Sequence, residues 1–193
     1  MLNKQEAIAI IGARLSPRRY EHSLQVAQVA QSMAEHYDVD PDKAYLTGIL
    51  HDYAKGIPAS ELLSLAINNN LLSYEVERLV PDLLHAQVGA FLLKKELAID
   101  DEEILKAVRN HTLGNLNMSK LDQIIYLADM IEPGRDYPGV ERLRCLAWKS
   151  LDQGMLFGLE STIKYCLEQG RILHPLTIEV RNYFLRNVNL IDC

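Results

Sequence analysis

The sequence predicts an all-α fold built as a single domain. Apolar residues recur with a period near 3.6 from end to end, and alternating β-branched runs joined by two-residue turns are almost absent. At 193 residues, with 48% hydrophobic content and no Pro- or Gly-rich linker, the chain suits one continuous core better than two small ones. No internal repeat or low-complexity segment interrupts it. The expected layout is one domain over 1–193, with a motif-bearing core over about 16–137 and further helices over about 139–187.

Each helix is justified by its ends and its apolar stripe. Ser16-Pro17 opens the first long helix, Ser as cap and Pro in the first turn, and the helix runs to about Tyr37. His22, Val26, Val29 and Met33 follow spacings of four, three and four, so His22 faces inward. Asp40-Pro41 opens a second helix in the same way, with Gly56 as its terminator. On it Ala44, Gly48 and Asp52 share a face whose small residues admit a close neighbour. A stretch over about Pro58 to Asn68 and a polar turn near Ser73 are connectors. Pro81 opens a helix to about Leu97, with His85, Val88 and Leu92 along one side. The acidic run Asp100 to Glu103 complements the dipole of the next helix, whose inner face is Ile104, Ala107, Val108 and His111. Ser119 caps another, with Asp122 three positions on, and places Asp129 against the core before Pro133-Gly134 ends it. Two or three helices follow, broken at Gly154 and near Gly170 to Pro175.

Composition excludes several roles. A net charge of −6 disfavours nonspecific nucleic-acid binding and long-range attraction to acidic membranes, so an anionic ligand must be captured locally. No stretch is long enough to span a bilayer, and the N-terminal apolar run lacks the pattern of a signal peptide. Cys145, Cys166 and Cys193, odd in number and outside any CxxC pattern, read as reduced packing or surface thiols, and the expected location is the cytoplasm. Assembly as a homodimer is left open.

The candidate site is a constellation. The adjacent pair His51-Asp52 is weak alone, since composition yields a His-Asp pair in about a quarter of chains with this many histidines. His22, His85, His111 and Asp129 each interrupt an apolar stripe where a hydrophobe is expected. One inward histidine is ordinarily a hydrogen-bonded core residue; four, with two buried carboxylates and no Arg or Lys beside them on the same helical faces, call for a cation. Imidazole and carboxylate without thiolate suit iron, manganese, cobalt or zinc. His36, at a polar helix end, reads as exposed and is left out. Lys55 and Arg109 read as surface charges by default, whereas Arg135, in the Pro-Gly turn beyond Asp129, is placed to fork onto a phosphate. His174 before Pro175 reads equally as an anion site or as a cap. P-loop, GxGxxG and GxSxG patterns are absent from the sequence.

The order His22, His51-Asp52, His85, His111, Asp129 resembles the HD superfamily of metal-dependent phosphohydrolases. The segments HSLQVA, TGILHDYAK, LLHAQVGA, NHTLG, DQIIYLADMIEPGR and RILHPLT resemble its YqeK family of symmetrical diadenosine tetraphosphate hydrolases, from about Tyr20 to about Thr177. The resemblance implies an HD-type helical bundle in which His22, His51, Asp52 and Asp129 bind iron. It implies that His85 and His111 line the phosphate pocket, with Leu84 beside them and Lys55 on the polyphosphate, and that His22, Asp52, His85 and His111 act in catalysis. It also implies nucleotide contacts from Asp129, Met130, Ile131, Glu132, Pro133, Gly134 and Arg135, and from Arg171 and His174. A second metal, bridged by Asp52 and held by His85 and His111, fits the same six residues. Two other readings compete. The ligand order also resembles di-iron HD oxygenases of a small polyol or phosphonate, and a nucleotide sensor would bind without turnover.

Overall fold

The computed structural model describes residues 2–188, and among them every regular element is helical. The α-helices are α1 (Lys4–Arg14), α2 (Pro17–His36), α3 (Pro41–Leu50), α4 (Ala59–Asn68), α5 (His85–Leu97), α6 (Glu102–Asn110), α7 (Lys120–Ile131), α8 (Val140–Lys149), α9 (Leu151–Glu168) and α10 (Pro175–Asn187). Two short 3-10 helices, Glu75–Arg78 and Pro81–Leu84, lie between α4 and α5.

Local chemistry starts and stops most of these elements as the sequence predicts, although the helix expected from Pro81 is a 3-10 helix as far as Leu84. Asp40 caps α3 by accepting from Asp42 and Lys43 N–H, Asp101 caps α6 through Glu103 and Ile104 N–H, and Ser119 and Asp122 form a capping box on α7. Ser16 stands at the cap of α2 without a side-chain hydrogen bond, leaving Pro17 as the start signal. The second predicted helix ends at Leu50 rather than Gly56, because tight turns take over, with Tyr53 N–H on Leu50 O at 3.0 Å and Lys55 N–H on Asp52 O at 2.8 Å. Gly154 lies inside α9, the break falling instead at Ser150, which caps α9 through Gln153 N–H. Helix α1 went unassigned in the sequence, although Asn3 and Glu6 form a capping box at its start.

Two apolar clusters fill the molecule. One gathers Val26, Ala30, Ile124, Ile125, Leu143, Met155 and Phe184 from α2, α7, α8, α9 and α10. The other gathers Ile11, Ala27, Ile49, Leu50, Leu93, Leu105 and Val108 from α1, α2, α3, α5 and α6. Helices α2, α3 and α6 contribute to both, so the clusters meet along them. Helices α2 and α3 approach closely, and a Cβ added at Gly48 would lie 2.8 Å from Ala27 Cα. That contact fixes His22 on α2 against His51 at the end of α3. Cys166 is free, whereas Cys145 is disulfide-bonded, against the expectation of three reduced thiols. Spacing in sequence carries no information on which sulfurs fold together, and Cys193 lies outside the described residues.

Candidate metal centre

Helix ends build this site. His51 and His111 immediately follow the last residues of α3 and α6, and His85 begins α5 directly after a 3-10 turn. At such ends, backbone carbonyls lack a helical N–H partner. Each histidine supplies one: His51 Nδ1 bonds Gly48 O at 2.7 Å, His111 Nδ1 bonds Val108 O at 2.7 Å and His85 Nδ1 bonds Asp82 O at 2.5 Å. His22 does the same with a carboxylate, Nδ1 lying 3.1 Å from Glu132 Oε1. A carbonyl partner holds the proton on Nδ1 of His51, His85 and His111, so their Nε2 atoms present lone pairs to one interior space, whereas His22 has a carboxylate at each ring nitrogen, Glu132 at Nδ1 and Asp129 at Nε2.

Two carboxylates face those lone pairs. Asp129 Oδ1 lies 3.0 Å from His22 Nε2 and 3.9 Å from His51 Nε2. Asp52 Oδ2 lies 3.6 Å from His51 Nε2, and Asp52 Oδ1 lies 3.4 Å and 3.6 Å from His85 and His111 Nε2. The donor atoms of His22, His51 and Asp129, and again those of His51, Asp52 and His111, fall within 4.8 Å of one another. Buried His51 Nε2 makes no hydrogen bond, and buried His22 Nε2 has the Asp129 carboxylate as its neighbour. Two buried carboxylates beside these ring nitrogens, one of them without a hydrogen-bond partner, are costly unless a cation joins them, so the donor set fits a divalent metal. Its charge state agrees. Burial lowers His51 to about 4, which leaves it a neutral ligand near pH 7, whereas at His22 the lowering by burial is outweighed by the Asp129 and Glu132 carboxylates, which raise the imidazole. Despite the opposing effect of burial, His22 and Arg135 hold Asp129, and the surrounding imidazoles hold Asp52, well below the usual carboxylate range.

A cleft of about 180 Å³ opens above this centre, lined by Asp52, Lys55, His85, His111, Asp129, Met130 and Arg135 among the residues the sequence singled out. Arg19, Thr112, Tyr126 and Thr162 complete it. His85 and His111 Nε2 are 3.1 Å apart, and Thr112 Oγ1 is 3.1 Å from each. One hydroxyl proton serves only one of the two lone pairs, leaving the pair as an acceptor for a guest that carries a proton or positive charge. Arg135 Nε donates to Asp129 O at 2.7 Å and its Nη2 to Asp129 Oδ1. Arg144 braces that turn, donating to Ile131 O at 3.0 Å, Glu132 O at 2.9 Å and Arg135 O at 3.0 Å.

The other residues expected at the nucleotide are not among those lining this cleft. Leu84 and Ile131 are core side chains, and Pro133 and Gly134 are exposed on the turn. Glu132 is 3% exposed, and its carboxylate is spent on His22 Nδ1, Gly134 N–H and Arg135. Its place is behind the metal centre. Arg171 lies over the Tyr165 ring at 5.1 Å. His174 takes the capping reading, accepting Leu176 N–H at 3.2 Å, with its Nε2 3.5 Å from buried Glu77. His36 is exposed, with Nε2 2.9 Å from Trp148 O. Both positive partners of the carboxylates come from beyond their own helices: Arg19 from α2 and Arg135 from the turn after α7. Arg19 went unnoticed although it stands one turn before His22, which is the signal that could have found it. Replacing Glu132 by Ala should loosen His22 and weaken metal binding about ten- to hundredfold with the fold intact, as read by titration calorimetry with Mn2+. Equal affinity in the variant would show that Glu132 does not orient His22.

The HD domain family model matches residues 19–134, which span all six ligand candidates. Two relatives, each a symmetrical bis(5'-nucleosyl)-tetraphosphatase, align over 95% of this chain and 98% of their own: one from Halalkalibacterium halodurans at 37% identity and one from Bacillus subtilis at 34%. The chain belongs to the HD family, in its YqeK branch. A solved HD-family structure agrees: a predicted HD superfamily hydrolase involved in NAD metabolism from Clostridium acetobutylicum superposes with a TM-score of 0.93 at 37% identity, covering 97% of this chain and 100% of that one.

Proposed function

We propose that this chain is a metal-dependent hydrolase that splits diadenosine tetraphosphate symmetrically into two ADP. The observation that carries the reading is the convergence of the buried Nε2 atoms of His22 and His51 with Asp52 and Asp129 beneath a cleft with three cationic side chains. Relatives at 34–37% identity over nearly their whole length carry that activity in their names. His22, His51, Asp52 and Asp129 would hold one divalent ion, for which iron is our choice among iron, manganese, cobalt and zinc. The ion would acidify water and neutralise charge developing at phosphorus.

The protein's own groups do the rest. Lys55 and Arg135 are placed to hold the phosphate chain against the centre, compensating in the cleft for a net charge of −6. His85 and His111, with lone pairs on Nε2, accept hydrogen bonds from water or a protonated oxygen on the far side of Asp52. Arg144 keeps the Arg135 turn rigid, so the guanidinium is in place before substrate arrives. The cleft is too small to enclose a nucleoside, which leaves the adenosines toward its mouth. The oxygenase alternative is not favoured, since the named relatives are tetraphosphatases and the cleft is lined for phosphate. Among the described residues no helix is long and apolar enough to cross a membrane.

His111→Ala should keep the metal yet lower turnover about a hundredfold, because its place is beside the phosphate. His36→Ala should match the parent. Loss of metal from His111→Ala would instead point to a second ion shared by Asp52, His85 and His111. The whole reading is tested with a panel of dinucleoside polyphosphates, each incubated with metal-loaded protein and the products separated by chromatography. Diadenosine tetraphosphate should give ADP alone; turnover of none of the panel, or oxygen consumption with a polyol, would overturn it.

A further inference from the structure

Arg19 stands on α2 one turn before His22, and its side chain reaches from the rim of the cleft to its floor. Its Nη1 donates to Asp52 Oδ2 at 2.9 Å, the one side-chain hydrogen bond it makes among the described residues. The Arg19 side chain is 37% exposed and that of Asp52 only 3%.

The two oxygens of Asp52 face different neighbours. Oδ1 points to His85 and His111, whereas Oδ2 lies 3.6 Å from His51 Nε2 and 4.0 Å from His22 Nε2. Oδ2 is the oxygen on the side of His22, His51 and Asp129, and Arg19 occupies it. A divalent cation and a guanidinium repel each other at such range in a buried site. When the cation claims Oδ2, Arg19 loses most of its attraction to Asp52. Arg135 differs here. Although it also pairs with a ligand carboxylate, its Nε is anchored on the main-chain oxygen of Asp129 and its turn is braced by Arg144. Among the described residues Arg19 has no second hydrogen-bond tether, and its long flexible stem is partly exposed. An anion with several oxygens in the same cleft is the natural new partner for a planar five-donor group.

We propose that Arg19 is a phosphate-binding residue of the reaction, held by Asp52 until a divalent cation claims that carboxylate and then passed to the polyphosphate of the dinucleotide. The inference rests on the hydrolase reading above and adds an order of events: metal first, then substrate, with Arg19 released by the first to bind the second.

The test uses Arg19→Ala and Arg19→Lys with two ligands measured separately by titration calorimetry, and thermal melting as the control for folding. Mn2+ alone should bind Arg19→Ala as tightly as the parent or more tightly, because a competitor for Asp52 has been removed. A methylene-bridged, non-hydrolysable diadenosine tetraphosphate, titrated into the Mn2+-loaded protein, should bind Arg19→Ala about ten- to hundredfold more weakly. Arg19→Lys should fall between, having charge without the planar fork. Weaker Mn2+ binding by Arg19→Ala would overturn the inference, since Arg19 would then be orienting a metal ligand. Equal analogue binding by parent and Arg19→Ala would overturn it while leaving the hydrolase reading standing. A loaded parent that binds no analogue overturns both.

Discussion

Asp52→Ala should lose its metal and at least about a thousandfold in turnover, some 4 kcal/mol of transition-state stabilisation, while remaining folded. Asp52 is the one carboxylate that faces all four inward histidines, with Oδ1 toward His85 and His111 and Oδ2 toward His51 and His22. Without it the centre keeps three of its four proposed ligands and no anion on that side. The fold should persist because the substitution also removes a buried charge, and Arg19, its partner, is exposed enough to be hydrated instead. Metal content by elemental analysis and thermal melting with and without Mn2+ give the readout. The parent should be stabilised by the ion and the variant should not. An Asp52→Ala protein that retained one metal per chain and normal turnover would falsify the site.

Gly48→Ala should destabilise the protein by about 3 kcal/mol, near the upper end of what one added methyl does in a packed core. An added Cβ would meet Ala27 Cα at 2.8 Å, Ala27 N at 3.1 Å and Val26 O at 3.3 Å, all of them backbone, so helix α2 itself must move. Moving α2 carries His22 away from His51, so metal affinity should fall together with stability. Gly89→Ala provides the contrast. Its Cβ would make ordinary contacts at 3.7 Å and longer, and Ala is the better helix former, so that variant should equal or exceed the parent by up to about 1 kcal/mol. Denaturant unfolding of both variants measures the difference. Comparable stability for Gly48→Ala and the parent would mean that α2 and α3 are not held by this contact.

What the sequence made legible was whatever a single helix reports about itself. The four-three-four spacing from His22 to Met33 turns that histidine inward, and His22 is 9% exposed. Ala44 and Gly48 announced a close neighbour, and α2 is that neighbour. The Ser119–Asp122 capping box aligned α7 so that Asp129 reaches the site. What stayed hidden depends on contacts between segments. The stop of α3 at Leu50 comes with local turns that free His51 to cap its own helix, and periodicity alone continues the helix through them. Gly154 reads as a breaker, yet in α9 it admits Leu127 and the Ala147 backbone at 3.0 Å. Glu132 sits in the DMIEPGR segment, which the resemblance assigns to nucleotide, but its carboxylate turns back to His22. The positive partners of Asp52 and Asp129 were sought on their own helical faces, and both come from elsewhere in the chain.

The central claim is cleavage at the middle of the phosphate chain by a nucleophile derived from water. Hydrolysis of diadenosine tetraphosphate by the metal-loaded protein in oxygen-18 water, with products resolved by mass, tests it most directly. Splitting the central bridge places one solvent oxygen on the terminal phosphate of one of the two products, so label should appear in ADP and in no other nucleotide. Labelled AMP or ATP would contradict the account, since the reacting phosphorus would then lie next to the wrong bridge.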